Sequence, residues 1–275
     1  MNGPLGHVDW GPWLAEPATA GVLTDYDGTL APIAEDRRRA APSPGVTEVI
    51  SALADRIALV AVVSGRRVEY LESQLRPSPK VRLFGLYGLE SLVNGEHRVI
   101  EAAVRWKDEM AAAALAVTRE APPGLELELK GVTLSLHARR APETMPWAQQ
   151  WAAARASSTG LIAQPGRLSV ELLPPVPCDK GTVVEGLAGP LSSVSFFGDD
   201  TGDLPAFRAL RRLRAAGKTT IGVGVQSPEQ PAQLLRLVDT LVRGPQEAVE
   251  LLGYLAGVAA VPRWTSREHL GGPGH

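Results

Sequence analysis

Two aspartates followed by a glycine are the first residues of this chain that could do chemistry. Asp25 and Asp27 come just beyond the apolar run 20–23, after Thr24, and Gly28 follows them. An apolar run that stops at acidic residues predicts a buried strand, and open α/β sheets bind ligands beyond the carboxyl ends of their strands. Alternate strand residues point to opposite faces, so both carboxylates can serve one site only if the chain turns sharply, which Gly28 permits. We therefore predict one acid that attacks a substrate and one that transfers protons.

A serine and a lysine elsewhere in the chain carry groups that suit phosphate. Ser64, Gly65 and Arg66 follow another apolar run. A hydroxyl beside a glycine at a strand end offers a side-chain donor and free backbone N–H groups, which together can hold phosphate oxygens. Lys180 stands at a predicted helix, 182–188, and would bring a fixed positive charge. Taken singly, these patterns are also typical of an ordinary turn and of a surface lysine.

Three more carboxylates lie within five positions near the carboxyl end of the chain. Asp199, Asp200 and Asp203 follow the apolar run 193–197. Hard carboxylate oxygens at this density are the ligands that Mg²⁺ prefers. A solvated acidic loop is the alternative for each acidic segment alone, but the three strand-end motifs and the lysine together favour a single site.

The order of these motifs, an aspartate pair, a serine, a lysine and an acidic cluster, resembles the haloacid dehalogenase superfamily of phosphotransferases. Within it, the segments 25–33, 64–66, 85–90 and 198–200 resemble trehalose-6-phosphate phosphatases. The resemblance extends over about residues 20–260. It implies an enzyme that hydrolyses a sugar phosphate.

The resemblance also implies a role for each motif. Asp25 would be the nucleophile that forms an aspartyl-phosphate, and Asp27 would protonate the leaving oxygen and then activate water. Ser64 and Lys180 would share the work of neutralising the phosphate oxygens. The other residues of these motifs that we expect to bind substrate are Thr29, Gly65 and Arg66.

Mg²⁺ is the cofactor that the resemblance implies. Its expected ligands are Asp25, the backbone carbonyl of Asp27, and Asp199, with Asp200 or Asp203 further out. The ion would also let two carboxylates lie close together without the repulsion that raises a pKa.

The chain departs from the family pattern at three places. The segment 201–207 keeps Asp203 but lacks two later acids that the family usually has there. Leu86 and Tyr87 replace the commoner small residue and histidine, and Leu173 replaces an arginine.

The composition excludes several other classes of protein. Lys and Arg number 28 against 30 acidic residues, so the net charge of −2 provides no general attraction to nucleic acid or to anionic membranes. The only cysteine, Cys178, permits no internal disulfide, as expected in a reducing compartment. The sequence shows neither a signal-peptide pattern nor an 18-residue apolar span. We expect a cytoplasmic monomer that binds a sugar phosphate and neither nucleic acid nor membrane.

Strand and helix patterns alternate along most of the chain, which predicts an α/β fold with a Rossmann-like parallel sheet. The predicted strands are 20–24, 57–63, 81–87, 193–197, 219–223 and 239–243. In the interval 98–175 the pattern is instead helix, hairpin, helix, hairpin. This pattern predicts an inserted α+β cap domain. We therefore expect core segments at 1–97 and 176–262, and a disordered tail at 263–275.

Three charged residues of the predicted cap could recognise a sugar. Glu128 and Lys130 stand two apart, hence on one strand face, and resemble the family's Glu-x-Lys-Gly. Glu171 resembles the glutamate of its Glu-Leu-Arg-Pro. Carboxylates that accept hydroxyls beside a lysine that donates would give directional recognition. Without the resemblance, alternating Glu and Lys are typical of the solvated face of a half-covered sheet. His137 and Arg139 match a family His-x-Arg, for which a structural role is equally open.

The resemblance, together with these patterns, leads to one hypothesis and two alternatives. The hypothesis is an Mg²⁺-dependent hydrolysis of trehalose 6-phosphate, in which the cap sets specificity and closes over the sugar. The chain could instead act on another sugar phosphate, such as sucrose 6-phosphate or a glycosyl-phosphoglycerate. It could also be a sugar-phosphate-binding regulator without turnover, although a binder has no need of Asp27.

Overall fold

The computed structural model describes residues 8–34, 40–166, 168–227 and 230–258. The chain divides into two units, which we call the core unit (Met1–His97 and Cys178–His275) and the inserted unit (Arg98–Pro177). The tail that we predicted at 263–275 lies outside the described residues. No helix among those residues is long and apolar enough to span a bilayer.

The core unit is built on an eight-stranded sheet whose strand order is β12-β11-β10-β1-β2-β3-β4-β5. The strands are β1 (Ala20–Thr24), β2 (Leu59–Val63), β3 (Val81–Gly85), β4 (Glu90–Val93), β5 (Glu96–Val99), β10 (Ser193–Gly198), β11 (Thr219–Val225) and β12 (Thr240–Val242). The pairs from β12 to β3 are parallel, and β4 runs antiparallel to β3. The predicted α/β fold with a mostly parallel sheet is confirmed.

Helices cover both faces of this sheet. They are α1 (Gly11–Ala15), α2 (Val46–Arg56), α3 (Val68–Leu75), α7 (Lys180–Ala188), α8 (Leu204–Ala215) and α9 (Pro245–Ala256). Val22 of β1 packs in one apolar layer with residues of α2 and α9, whereas the adjacent Leu23 packs in the other with residues of α7 and α8. Both layers are apolar, which explains why β1 and β2 are continuous buried runs without alternation.

The elements differ from the predicted ones in a few places. The hairpin β4–β5 and the helices α3 and α9 were not predicted. The second strand begins at Leu59 rather than at 57, because the Ile57 N–H donates to Leu53 O and ends α2. The helix with the lysine begins at Lys180 rather than at 182, because the Asp179 carboxylate accepts the Thr182 N–H and caps it.

The inserted unit is a four-stranded antiparallel sheet of order β6-β7-β9-β8, with helices on one face. Its elements are α4 (Glu101–Val104), α5 (Lys107–Glu120), β6 (Glu126–Leu129), β7 (Leu134–His137), α6 (Met145–Thr159), β8 (Ile162–Gly166) and β9 (Ser169–Leu173). Leu134, Leu136, Val170 and Leu172 pack with buried residues of α5 and α6. Because strand residues alternate, Ser135, His137 and Glu171 occupy the opposite face, which is polar.

Candidate active site

The two aspartates of the opening motif lie in a tight turn beyond β1. The Asp25 N–H still donates to Phe197 O of β10, at 2.8 Å, and the Gly28 N–H donates to Ala31 O, at 2.7 Å. Gly28 has a φ of 79°, and a Cβ at this position would overlap the carboxylate of Asp199. Glycine is therefore needed both for the turn and for the close approach of the acidic loop after β10.

Lys180, the first residue of α7, joins two carboxylates in the interior. Its Nζ lies 2.7 Å from Asp25 Oδ1 and 2.6 Å from Asp203 Oδ1. The lysine is 3% exposed, so this ammonium is a fixed charge and not a surface group. The structure thus brings a lysine that is 155 residues away in sequence to the predicted nucleophile.

The three aspartates of the acidic cluster do different things. Asp203 is completely buried and accepts the N–H groups of Asp199 and Asp200 at 2.8 and 3.1 Å, so it holds the loop in shape. Asp200 accepts the Gly202 N–H at 2.8 Å. Asp199 points into the cluster, and ligand atoms of Asp25, Asp199 and Asp203 all lie within 4.8 Å of one another.

The charges of this cluster are not balanced by Lys180. Burial raises the pKa of Asp25 well above its ordinary value, against the attraction of Lys180. Burial and the nearby Asp203 and Asp200 raise the pKa of Asp199 to about 8. Burial opposes the charge of Lys180, yet Asp203 and Asp25 raise the pKa of that ammonium well above its usual range. Three buried carboxylates around one ammonium leave a surplus of negative charge when all of them are ionised.

A divalent cation fits this surplus. Asp199 Oδ2 is buried without a hydrogen-bond donor among the described residues, while the Thr29 hydroxyl donates to its Oδ1 at 3.4 Å. Buried carboxylate oxygens without a donor are costly unless a cation meets them. Thr29 is fully buried, so in this structure it supports a carboxylate of the cluster.

The serine motif supplies a second set of contacts. The Arg66 N–H donates to Ser64 Oγ at 3.2 Å, and the Ser64 N–H donates to Phe84 O of β3 at 2.9 Å. The side chain of Arg66 donates two hydrogen bonds, of 2.7 and 2.6 Å, to the two carboxylate oxygens of Asp27. From the sequence we expected Arg66 to bind substrate, and we did not predict its ion pair with Asp27.

The inserted unit contains a polar cluster on the sheet face opposite α5 and α6, where Lys130, His137 and Glu171 are buried. Lys130 Nζ donates to Glu171 Oε1 at 2.9 Å, and the Thr133 hydroxyl donates to the same oxygen at 3.1 Å. Glu128 Oε2 lies 3.0 Å from His137 Nε2 and 4.0 Å from Lys130 Nζ. The structure therefore brings the three predicted sugar ligands together. Thr133 was missed, because its pairing depends on the register between β7 and β9.

Comparisons with known proteins point to one family. The model of the trehalose-phosphatase family matches residues 23–233. The chain is 29% identical over 219 residues to the "probable trehalose-phosphate phosphatase" of Sinorhizobium fredii, which covers 77% of this chain and 80% of that protein. It is 31% identical over 250 residues to the trehalose-phosphate phosphatase of Mycobacterium avium, which covers 81% of this chain but only 63% of that longer protein.

A solved structure shows the same fold. The C-terminal domain of Candida albicans trehalose-6-phosphate phosphatase superposes with a TM-score of 0.72 and 22% identity, covering 90% of this chain and 94% of that domain.

Proposed function

The chain belongs to the trehalose-phosphatase family and is a phosphatase, and from this premise we propose that it hydrolyses trehalose 6-phosphate to trehalose and phosphate with Mg²⁺ as cofactor. The single observation that carries the proposal is the convergence of Asp25, Lys180 and Asp199 beyond the carboxyl ends of β1 and β10. A phosphate monoester repels a nucleophile, so a site for its hydrolysis must place positive charge beside the attacking carboxylate.

In the proposed reaction, Asp25 attacks phosphorus. Its Oδ1 contacts Lys180, so Oδ2 would form the new P–O bond while the bond to the sugar oxygen breaks. The sugar oxygen takes a proton from Asp27, which must first exchange one of its two hydrogen bonds from Arg66 for that proton. In the second half, Asp27 takes a proton from water, and the resulting hydroxide attacks the aspartyl-phosphate and releases phosphate and a free Asp25 carboxylate.

The remaining residues of the site would orient the reacting groups and neutralise the charge of the phosphate. Ser64 and the backbone of Gly65 would hold phosphate oxygens, Lys180 would stabilise charge on the transferring group, and Arg66 would keep Asp27 oriented. Asp25, the carbonyl of Asp27, and Asp199 would hold Mg²⁺, which when bound supplies further positive charge for the phosphoryl group. Asp200 and Asp203 would shape the loop that presents Asp199.

We propose that Glu128, Lys130 and Glu171 of the inserted unit bind the sugar hydroxyls. Their support is the polar cluster described above, in which a lysine and two carboxylates offer both donors and acceptors within one sheet face. A site of this kind rejects a substrate without matching hydroxyls, because its polar groups would be left unpaired. For its setting, we propose a cytoplasmic monomer without a nucleic-acid partner. The single Cys178 supports a reducing compartment, and the near-neutral charge supports the absence of a nucleic-acid partner.

Phosphate release from a panel of esters tests this proposal. The panel contains trehalose 6-phosphate, sucrose 6-phosphate, glucose 6-phosphate, a glycosyl-phosphoglycerate and para-nitrophenyl phosphate, each with and without Mg²⁺, and Asp25→Asn is the blank. We expect trehalose 6-phosphate to give a kcat/KM at least about a hundredfold above the other sugars. A preference for another sugar phosphate would reassign the substrate and keep the chemistry. Binding of sugar phosphate without turnover by the parent protein would instead indicate the regulator.

A further inference from the structure

The turn after β3 has an unusual backbone next to the proposed phosphate site. Leu86 and Tyr87 both lie in the left-handed region, with φ of 49° and 61°, which is rare for residues with large side chains. The Leu86 N–H donates to Arg66 O and the Tyr87 N–H donates to Ser64 O, both at 2.9 Å. Two backbone hydrogen bonds therefore tie this turn to the serine motif and offset its strain.

The ring of Tyr87 lies against two glycines of the site. A Cβ built on Gly65 would lie 2.8 Å from both Cζ and Oη of this tyrosine, and one built on Gly202 would lie 3.7 Å from its Cε1. Gly65 belongs to the serine motif, and Gly202 to the turn that Asp200 caps. The half-buried ring thus contacts the serine loop and lies beside the acidic loop.

We propose that Tyr87 is a positioning residue, whose ring sets the distance between the Ser64–Gly65 loop and the loop of Asp199 and Asp200. The inference rests on the proposed phosphatase function, because it assigns to these two loops the groups that meet the phosphoryl oxygens and the metal. Neither loop is held to the other by a shared strand pair, since β2 and β10 lie on opposite sides of β1. A rigid ring that contacts Gly65 and lies beside Gly202 supplies a link that the sheet itself lacks.

If Tyr87 had only a structural role, truncating its side chain would have a different effect. The side chain would fill space, so its truncation would lower the unfolding temperature and leave the rate of the folded enzyme unchanged. A positioning ring must instead affect kcat, because misplacing a binding group by about 1 Å can cost roughly a hundredfold in rate.

The experiment measures kcat and KM for para-nitrophenyl phosphate and the unfolding temperature, both at saturating Mg²⁺. We expect Tyr87→Ala to lower kcat by about tenfold to a hundredfold, and Tyr87→Phe, which keeps the ring, to stay within about threefold of the parent. Tyr254→Ala is the matched control, since Tyr254 is a half-buried tyrosine on α9. It should lower the unfolding temperature and leave kcat unchanged.

A double-mutant cycle tests whether Tyr87 acts through Gly65. A methyl group at Gly65 would push the ring away, so Gly65→Ala and Tyr87→Ala remove the same contact. We expect the double variant to lose little more kcat than the worse single variant. Losses that multiply would overturn the inference. So would a Tyr87→Ala kcat near that of the parent, or an equal loss in Tyr87→Phe, which would assign the effect to the hydroxyl group.

If the assignment of trehalose 6-phosphate as substrate is wrong, the assays give a result that differs from a failure of the Tyr87 inference. In that case the parent protein would cleave para-nitrophenyl phosphate but not trehalose 6-phosphate. The Tyr87 inference is judged only from the ratio of variant to parent on the small ester, so the two failures are distinguishable.

Discussion

Arg66 holds both carboxylate oxygens of Asp27, with Nε 2.7 Å from Oδ2 and Nη2 2.6 Å from Oδ1. The guanidinium lies 4.6 Å from the centroid of the Tyr70 ring, and the Tyr70 hydroxyl donates to Ala40 O at 2.8 Å. Arg66 is 6% exposed, so packing holds the guanidinium in place, whereas the Asp27 side chain that it binds is 30% exposed. The orientation of the proposed proton-transfer residue is thus set by a residue from a different motif.

The first prediction concerns this pair. Arg66→Ala should lower kcat for para-nitrophenyl phosphate by roughly a hundredfold, because Asp27 loses the two hydrogen bonds that orient it. Arg66→Lys should recover little of the rate, since an ammonium cannot bind two oxygens in one plane. Steady-state kinetics at saturating Mg²⁺ would measure both. The control is Arg67→Ala, whose half-exposed side chain pairs with Glu69. A normal rate in Arg66→Ala would show that Asp27 needs no such support.

The second prediction concerns Asp199 without metal. Its pKa is raised from 3.8 to about 8, so the folded state binds this proton more tightly than the unfolded state. The corresponding stability is present in full below about pH 3.8 and is lost as the pH rises to about 8. The unfolding temperature in a chelator should therefore fall between about pH 6 and about pH 8, and Mg²⁺ should restore it most at the higher pH.

Two aspartate variants provide the comparison for this titration. Asp199→Asn should reduce the fall in unfolding temperature with pH, because it removes the titrating group. It should also weaken the stabilisation by Mg²⁺, because it removes one proposed ligand. Asp55→Asn, which breaks an exposed pair with Lys80, should leave the fall as it is in the parent. An equal slope in Asp199→Asn and parent would assign the pH dependence to other groups. Full turnover in the chelator would argue against any metal requirement.

The third prediction is that Lys180 acts in the chemical step. Removing one oriented charge from a preorganised site costs roughly 3 kcal/mol of barrier, or about a hundredfold in rate. Lys180→Ala should show this loss in single-turnover experiments, and its unfolding temperature should also fall because Asp203 loses its buried partner. Lys80→Ala is the control at an exposed ion pair. A single-turnover rate within about threefold of the parent would remove Lys180 from the mechanism.

The fourth prediction concerns the polar cluster of the inserted unit. Lys130 and Glu171 are buried partners, so both are neutralised together in the variant Glu128→Gln/Lys130→Met/Glu171→Gln, which leaves no single buried charge. We expect kcat/KM for trehalose 6-phosphate to fall at least about a hundredfold, with para-nitrophenyl phosphate almost unaffected. The control is Glu109→Gln, which breaks the ion pair with Arg155 between α5 and α6.

Two outcomes would contradict this fourth prediction in different ways. An equal loss on both substrates would mean that the three residues maintain structure. No loss on either substrate would leave the phosphatase chemistry intact and remove the support for trehalose recognition.

Much of the architecture could be predicted because it depends on local patterns. Apolar runs that end at Asp25, Ser64 and Asp199 predict buried strands with polar ends, and parallel strands bring such ends to one edge of a sheet. Alternation around Glu128 and Glu171 likewise places those residues on the polar face of a half-covered sheet. The hairpin β4–β5 escaped prediction, because only Glu90 among its strand residues is buried and the strands carry no strong apolar period.

The sequence by itself determined which chemical groups the chain offers and at which strand ends they stand. Only the tertiary structure decided how they pair: that Arg66 binds Asp27, that Asp203 holds the loop of Asp199, and that the Tyr87 ring rests on Gly65. The physical reason is that these contacts join residues from separate turns, whose spacing is set by the packing of strands and helices over the whole core unit. Periodicity reports the face on which a residue lies, but not the partner that it meets there.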